Sequence, residues 1–163
     1  MLENYSSLEK SRDGYYYAGI HDFILKEGNL SKSSALKSDE QNFIKKRMRS
    51  TNCAFEKKQC FYNSAMMIMS DASQKIKYVE GVILFKDLPI LIHHAWNEIN
   101  GAVVDTTLKR IGEYDDLKYW GVELPNHYVK NQILNSGYSK SIIDDYENKW
   151  PLLKTKYGTL FNA

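Results

Sequence analysis

Apolar positions along this chain fall into a helical rhythm, then a strand rhythm, then a helical one again. Across residues 60–75, Phe61, Ala65, Ile68 or Met69, and Ala72 recur every three or four positions, which predicts a central helix with one apolar face. Residues 78–85, YVEGVILF, are rich in β-branched and aromatic types and predict a strand. Asp87-Leu88-Pro89 predicts a turn and residues 90–99 a second strand. Asn100-Gly101 predicts a two-residue hairpin, with residues 102–107 returning antiparallel. Upstream, Ser38 precedes Gln41 by three, a capping-box pattern that predicts a short helix over 39–48. Downstream, residues 126–136 closed by Gly137, and 139–150 closed by Pro151, read as helices. The whole predicts an α+β domain: a central helix packed on an antiparallel sheet, with extra helices at both ends.

Residues 1–37 read as a polar N-terminal extension. It carries a short apolar patch from Tyr15-Tyr16-Tyr17 through Ile20 to Phe23-Ile24-Leu25, ended by Gly28, with a surface loop over 31–34. Neither an internal repeat nor a Pro/Gly/Ser-rich linker divides the chain, so a single domain over 1–163 is expected.

Composition narrows the function classes. With 22 basic and 20 acidic residues mixed along 163, the net charge is +2, too weak and too dispersed for nucleic-acid binding by phosphate neutralisation. Apolar residues make up 43% and charged ones 26%, which excludes disorder. No run approaches the ~18–20 apolar residues of a membrane span. The start, Met1-Leu2-Glu3-Asn4-Tyr5, lacks a hydrophobic signal core, so a cytoplasmic location is expected. The two cysteines, Cys53 and Cys60, are then free thiols, and the six residues between them exclude a CxxC element. His21, His93 and His127 pair with no partner at zinc spacing, Met66-Met67-Met69 reads as core filling, and no glycine-rich phosphate loop is present. Lys45-Lys46-Arg47 with Arg49 reads as a solvated helix face. No metal or cofactor is expected.

Three residues with nucleophilic chemistry fall in the central block. Cys60 stands at the predicted N-terminus of the central helix, where partial positive charge favours a thiolate, and Lys57 and Lys58 push the same way. Activated nucleophile and buried structural thiol are both open readings of it. The hairpin arithmetic is sharper. If Asn100-Gly101 is a two-residue loop, opposed residues sum to 201, so Trp96 faces Asp105 and His94 faces Thr107. Alternation puts His94 on the face of Trp96 and makes it a diagonal neighbour of Asp105, while His93 points to the opposite face. A carboxylate on one imidazole nitrogen fixes the tautomer and leaves the other nitrogen to take a thiol proton. An ordinary surface His–Asp bond is the alternative, and whether Cys60 docks beside His94 is a tertiary question.

These residues resemble a family. Gln59-Cys60-Phe61 is similar to the Gln-Cys-aromatic signature of the transglutaminase-like branch of the papain-like cysteine enzymes. His94-Ala95-Trp96 followed by Gly101-Ala102-Val103-Val104-Asp105-Thr106-Thr107 is similar to that branch's His-Ala-Trp, Gly-x-Val-x-Asp-Pro-Thr block, with Thr106 where the family has Pro. The resemblance covers 59–107, about a third of the chain, and also extends to small bacterial and phage proteins of this fold. It implies a papain-like domain with a catalytic core over 59–107, Cys60 as nucleophile, His94 as general base and then acid, and Asp105 as the orienting group. The Cys60 N–H would hold the oxyanion. Gln59, Asn52, Trp96 and Asn63 are the candidates for the second donor and the substrate contacts. The activity implied is thioester chemistry on an amide of a protein or peptide, as peptidase or deamidase. The alternatives are acyl transfer to an amine, or a silent protein-binding module of the same fold.

Overall fold

The sheet is built outward from one central strand. In the computed structural model, which describes residues 1–31, 36–50, 57–86, 88–108, 117–137 and 140–161, β2 (Lys77–Phe85) lies between β3 (Leu88–Ile99) and β5 (Leu117–Leu124). β4 (Ala102–Val104) follows β3, and β1 (Asn29–Leu30) pairs with β5, giving a five-stranded antiparallel sheet in the order β1-β5-β2-β3-β4. Core clusters pack on both faces of β2, which is why residues 78–83 are buried without alternation.

Helices α1 (Leu2–Leu8), α2 (Ile20–Glu27), α3 (Ser38–Ser50), α4 (Cys60–Met69), α5 (Asn126–Ser136) and α6 (Pro151–Lys154) complete the α+β architecture. The main core joins Ala65, Met67 and Ile68 of α4 to Tyr78, Val82 and Val122 of the sheet. Tyr17, Phe23 and Ile24 enter the same core, so the N-terminal apolar patch is built into the fold. The opposite face carries a second cluster, Val79, Ile83, Trp96, Val103, Leu117 and Tyr119. Among the described residues, no helix is long and apolar enough to cross a membrane.

Side chains end several elements where periodicity alone would carry them on. The central helix stops at Met69, not near residue 75, because the Asp71 carboxylate takes the N–H groups of Ser73 and Ile76 and folds 71–76 into a turn. The cap of α3 shifts by one: Glu40, three residues after Lys37, accepts the Lys37 N–H at 2.9 Å, half of a capping box. β3 begins at Leu88 rather than residue 90. The helix expected over 139–150 is absent from its described part, 140–150. Ile142 and Ile143 give their N–H groups to Glu80 instead, and Lys149 and Trp150 turn left-handed at φ 58° and 49°. Pro151 therefore opens α6 instead of closing a helix before it. The surface loop expected over 31–34 lies largely outside the described residues.

Gly121 is one of two glycines at which strands β2 and β5 leave no room for a side chain. It pairs with Gly81, and the Trp96 indole crosses its face so closely that a Cβ there would run into Cη2 and Cζ2 of the ring. Gly121→Ala is expected to displace Trp96 and lower stability by ~1–3 kcal/mol, read as a lower denaturation midpoint at unchanged slope.

Candidate functional site

Cys60 is the first residue of α4. The chain turns into it through Lys58 at φ 66°, and Gln59 is the N-cap, its carbonyl accepting the Asn63 N–H at 2.8 Å. The first-turn N–H groups of a helix have no intrahelical acceptor, so the Cys60 thiol sits among donors and partial positive charge. The thiol is buried, at 8% exposure.

The hairpin forms as its two-residue loop requires. Asn100 and Gly101 lie at φ 52° and 78°, and Ile99 pairs with Ala102, Glu98 with Val103, and Asn97 with Val104. His94 and Asp105 then meet: His94 Nε2 lies 2.8 Å from Asp105 Oδ2. The ladder ends at Val104, short of residue 107, because Asp105 starts a turn of its own. Its Oδ1 accepts the N–H groups of Thr107 at 2.8 Å and Leu108 at 3.1 Å. The Tyr119 hydroxyl donates to Oδ2 at 3.0 Å, so the buried carboxylate faces at least four donors among the described residues.

With Nε2 engaged by Asp105, Nδ1 is the His94 nitrogen left for the thiol, and Cys60 is near enough to the ring to act on its protonation. Burial works against the imidazolium. The bond to Asp105 and the nearby Cys60 outweigh it and push the His94 pKa up to about 9. Burial would likewise raise Asp105, but His94 and the turn N–H groups hold its carboxyl below the usual carboxylate range.

The other expected site residues divide. Trp96 is fully buried, lies 6.5 Å from the His94 ring at 15°, and meets Tyr119 edge-on at 5.1 Å. Its indole N–H points to Glu98 Oε1 at 3.4 Å, so it shields the His94–Asp105 pair rather than presenting a donor to Cys60. Asn63 is also fully buried. Its amide donates to Thr107 Oγ1 at 2.9 Å and ties the Cys60 helix to the Asp105 turn. Gln59 is exposed beside Cys60. Asn52 and Cys53 lie outside the described residues.

Two groups were missed by sequence reasoning. Tyr119 reaches Asp105 only through the β2–β5 register, which no local pattern encodes. Glu80 is fully buried on the face opposite His94. It accepts the Tyr78 hydroxyl at 3.0 Å, the Ile142 and Ile143 N–H groups at 2.9 and 3.0 Å, and the Ser141 hydroxyl. His93 Nε2 stands 3.1 Å from its Oε1, and the His93 ring packs edge-on against Phe61, next to Cys60. Burial would raise the Glu80 carboxyl, yet His93 and the donors hold it below its ordinary range. A lone carboxylate inside an otherwise apolar strand was the available signal.

Among the described residues, no group of three or more His, Cys, Asp or Glu side chains is arranged to hold a metal ion. Compared with protein-family models, curated proteins and solved structures, this chain finds no match.

Proposed function

We propose that this protein is a cysteine-dependent acyl enzyme of the transglutaminase-like, papain-like kind, hydrolysing an amide in a protein or peptide. The observation that carries the reading is the contiguous Cys60–His94–Asp105 set, with the thiol at a helix N-terminus and the imidazole oriented by a buried carboxylate. His94 takes the thiol proton on Nδ1, and the thiolate attacks the amide carbon. The Cys60 N–H at the start of α4 holds the oxyanion. His94 then gives its proton to the departing amine, which leaves a thioester on Sγ. Water, deprotonated by His94, attacks the thioester; the acid leaves and the proton returns to sulfur. An amine taking the place of water gives acyl transfer by the same steps. Hydrolysis is the preferred outcome because water needs no second binding site.

The test is the pH dependence of iodoacetamide alkylation, located by peptide mass spectrometry, in wild type and His94→Ala. An ordinary thiol is ~0.3% ionised at pH 6. Cys60 is expected to react at least ~10-fold faster than Cys53 at pH 6 and to lose that advantage in His94→Ala. If Cys60 is as slow as Cys53, or silent in the folded chain, the enzyme reading gives way to a protein-binding module.

A further inference from the structure

The candidate site lies at one end of a sheet edge that no strand among the described residues covers. β4 pairs with β3 across Asn97–Ile99, and the Asp105 turn follows at once. Before that ladder, no strand among the described residues lies beside β3 on the side away from β2. α4 runs along β3 from His93 onward, with Phe61 against the His93 ring and the Ser64 carbonyl bound by Asn97 at 3.0 Å. Residues 90–92 therefore extend past the helix N-terminus as an edge.

The hairpin decides which backbone groups face that edge. A two-residue loop makes Ile99 and Ala102 the pair that exchanges both hydrogen bonds. The register with β2 is unbroken from Leu91 to Glu98, so alternation turns the N–H and C=O of His93 and Leu91 to the same side, away from β2. Ile92 projects from the face of His94 and is exposed at 39%, and Ile90, in the irregular pairing between Leu88 and Leu91, is exposed at 45%. Leu108, its N–H on Asp105, is exposed at 40%. Pro89 and the irregular pairing between Leu88 and Leu91 blunt the start of this edge, while Ile90-Leu91-Ile92 carries no charge to repel an added strand. At ~3.3 Å per residue, a strand seated on Leu91 reaches the level of His94 within about 10 Å, which favours a substrate over a second copy as the occupant.

We propose that this edge binds the acyl substrate as an added β-strand, hydrogen-bonded to the backbone of Leu91 and His93, with an aliphatic or aromatic side chain resting on Ile90 and Ile92. The inference rests on the acyl-enzyme reading and names its substrate class: an extended peptide segment with an apolar residue two positions from the reacting carboxamide.

Three peptides test it, each carrying a chloroacetamide in place of the reacting carboxamide. The first has leucine two positions away on both sides, the second has serine there, and the third is the leucine peptide N-methylated at the flanking amides. Cys60 Sγ displaces chloride to form a thioether, and its rate is followed by mass spectrometry on the full chain beside iodoacetamide. The leucine peptide is expected to react at least ~10-fold faster than the serine peptide. N-methylation, or the double change Ile90→Ser and Ile92→Ser, should remove that advantage while the variant keeps its iodoacetamide rate. Equal peptide rates on a Cys60 that still reacts quickly and His94-dependently with iodoacetamide overturn the edge proposal and leave the triad standing. An advantage that survives N-methylation overturns strand pairing. A wild-type dimer in sedimentation velocity that the double variant dissolves gives the edge to a second copy and overturns the proposal too. An ordinary iodoacetamide rate in wild type removes the acyl-enzyme reading itself.

Discussion

Asp105→Asn is expected to leave Cys60 reacting like an ordinary thiol, about 10- to 30-fold slower towards iodoacetamide at pH 7, where such a thiol is ~3% ionised. Amide hydrolysis should fall by about 10⁴, the scale of the same exchange in a Ser-His-Asp triad. The reason is a proton inventory. Asp105 accepts at both oxygens, from Thr107 and Leu108 on one side and from His94 and Tyr119 on the other. Asparagine keeps one acceptor, which the two turn N–H groups claim, and its amide then meets His94 Nε2 as a donor. The imidazole must answer with the tautomer protonated on Nδ1, the nitrogen that serves the thiol, and has no base to offer there.

The same variant changes the pH dependence of stability. In wild type, the His94 pKa rises from 6.5 to about 9 on folding, so its contribution is complete below pH 6.5 and is lost as pH climbs through about 9. Asp105 and Glu80 act in the opposite sense. Their carboxyls are held below the ordinary range, so their contribution is present above it and is lost on acidification. Urea denaturation at pH 6.5 and 9.5 should show wild type losing on the order of 2–3 kcal/mol on the alkaline side. Asp105→Asn should be nearly flat over that interval. An unchanged alkaline loss would mean that His94 does not owe its protonation to Asp105.

Glu80→Ala is expected to be the most destabilising single change, about 3–5 kcal/mol against the 5–15 kcal/mol typical of a whole domain. Removing the carboxylate strands the Tyr78 and Ser141 hydroxyls, two consecutive backbone N–H groups and the His93 ring, all at one buried point. The damage should be local before it is global. Hydrogen exchange is expected to accelerate first over 140–161, the segment that Glu80 fastens to the sheet. Glu80→Gln keeps one acceptor oxygen and should recover about half of the loss. Uniform exchange across the chain in Glu80→Ala, with 140–161 still protected, would show that other contacts hold the segment.

What was legible in the sequence was whatever depended on neighbours along the chain. Asn100-Gly101 dictates its own turn, the turn dictates the register, and the register brings His94 and not His93 to Asp105. The ends of elements were not legible, because distant or side-chain acceptors set them: Asp71 stops α4, Asp105 stops β4, and Glu80 keeps 140–150 from becoming a helix. The approach of Cys60 to His94 depends on how α4 lies against β3, and no local pattern encodes that. Glu80 and Tyr119 acquire their partners through the pairing of β2 with β3 and β5, across tens of residues.

Two adjacent histidines leave the strand with a latent ambiguity that the glycine pair resolves. Were β3 to slide one residue along β2, His93 would occupy the place opposite Gly81, and His94 would stand opposite Glu80 on the other face. The hairpin would carry Asp105 with His94 onto the face of Glu80, setting two buried carboxylates around one imidazole. Sterics opposes the slide as well. The slide would set Ala95 over Gly121, leaving a void as large as an indole, and would drive Trp96 into the buried slot of Asn97. The hairpin chooses His94 for Asp105, and a tryptophan that lies flat over a missing side chain decides which face of the sheet that pair occupies.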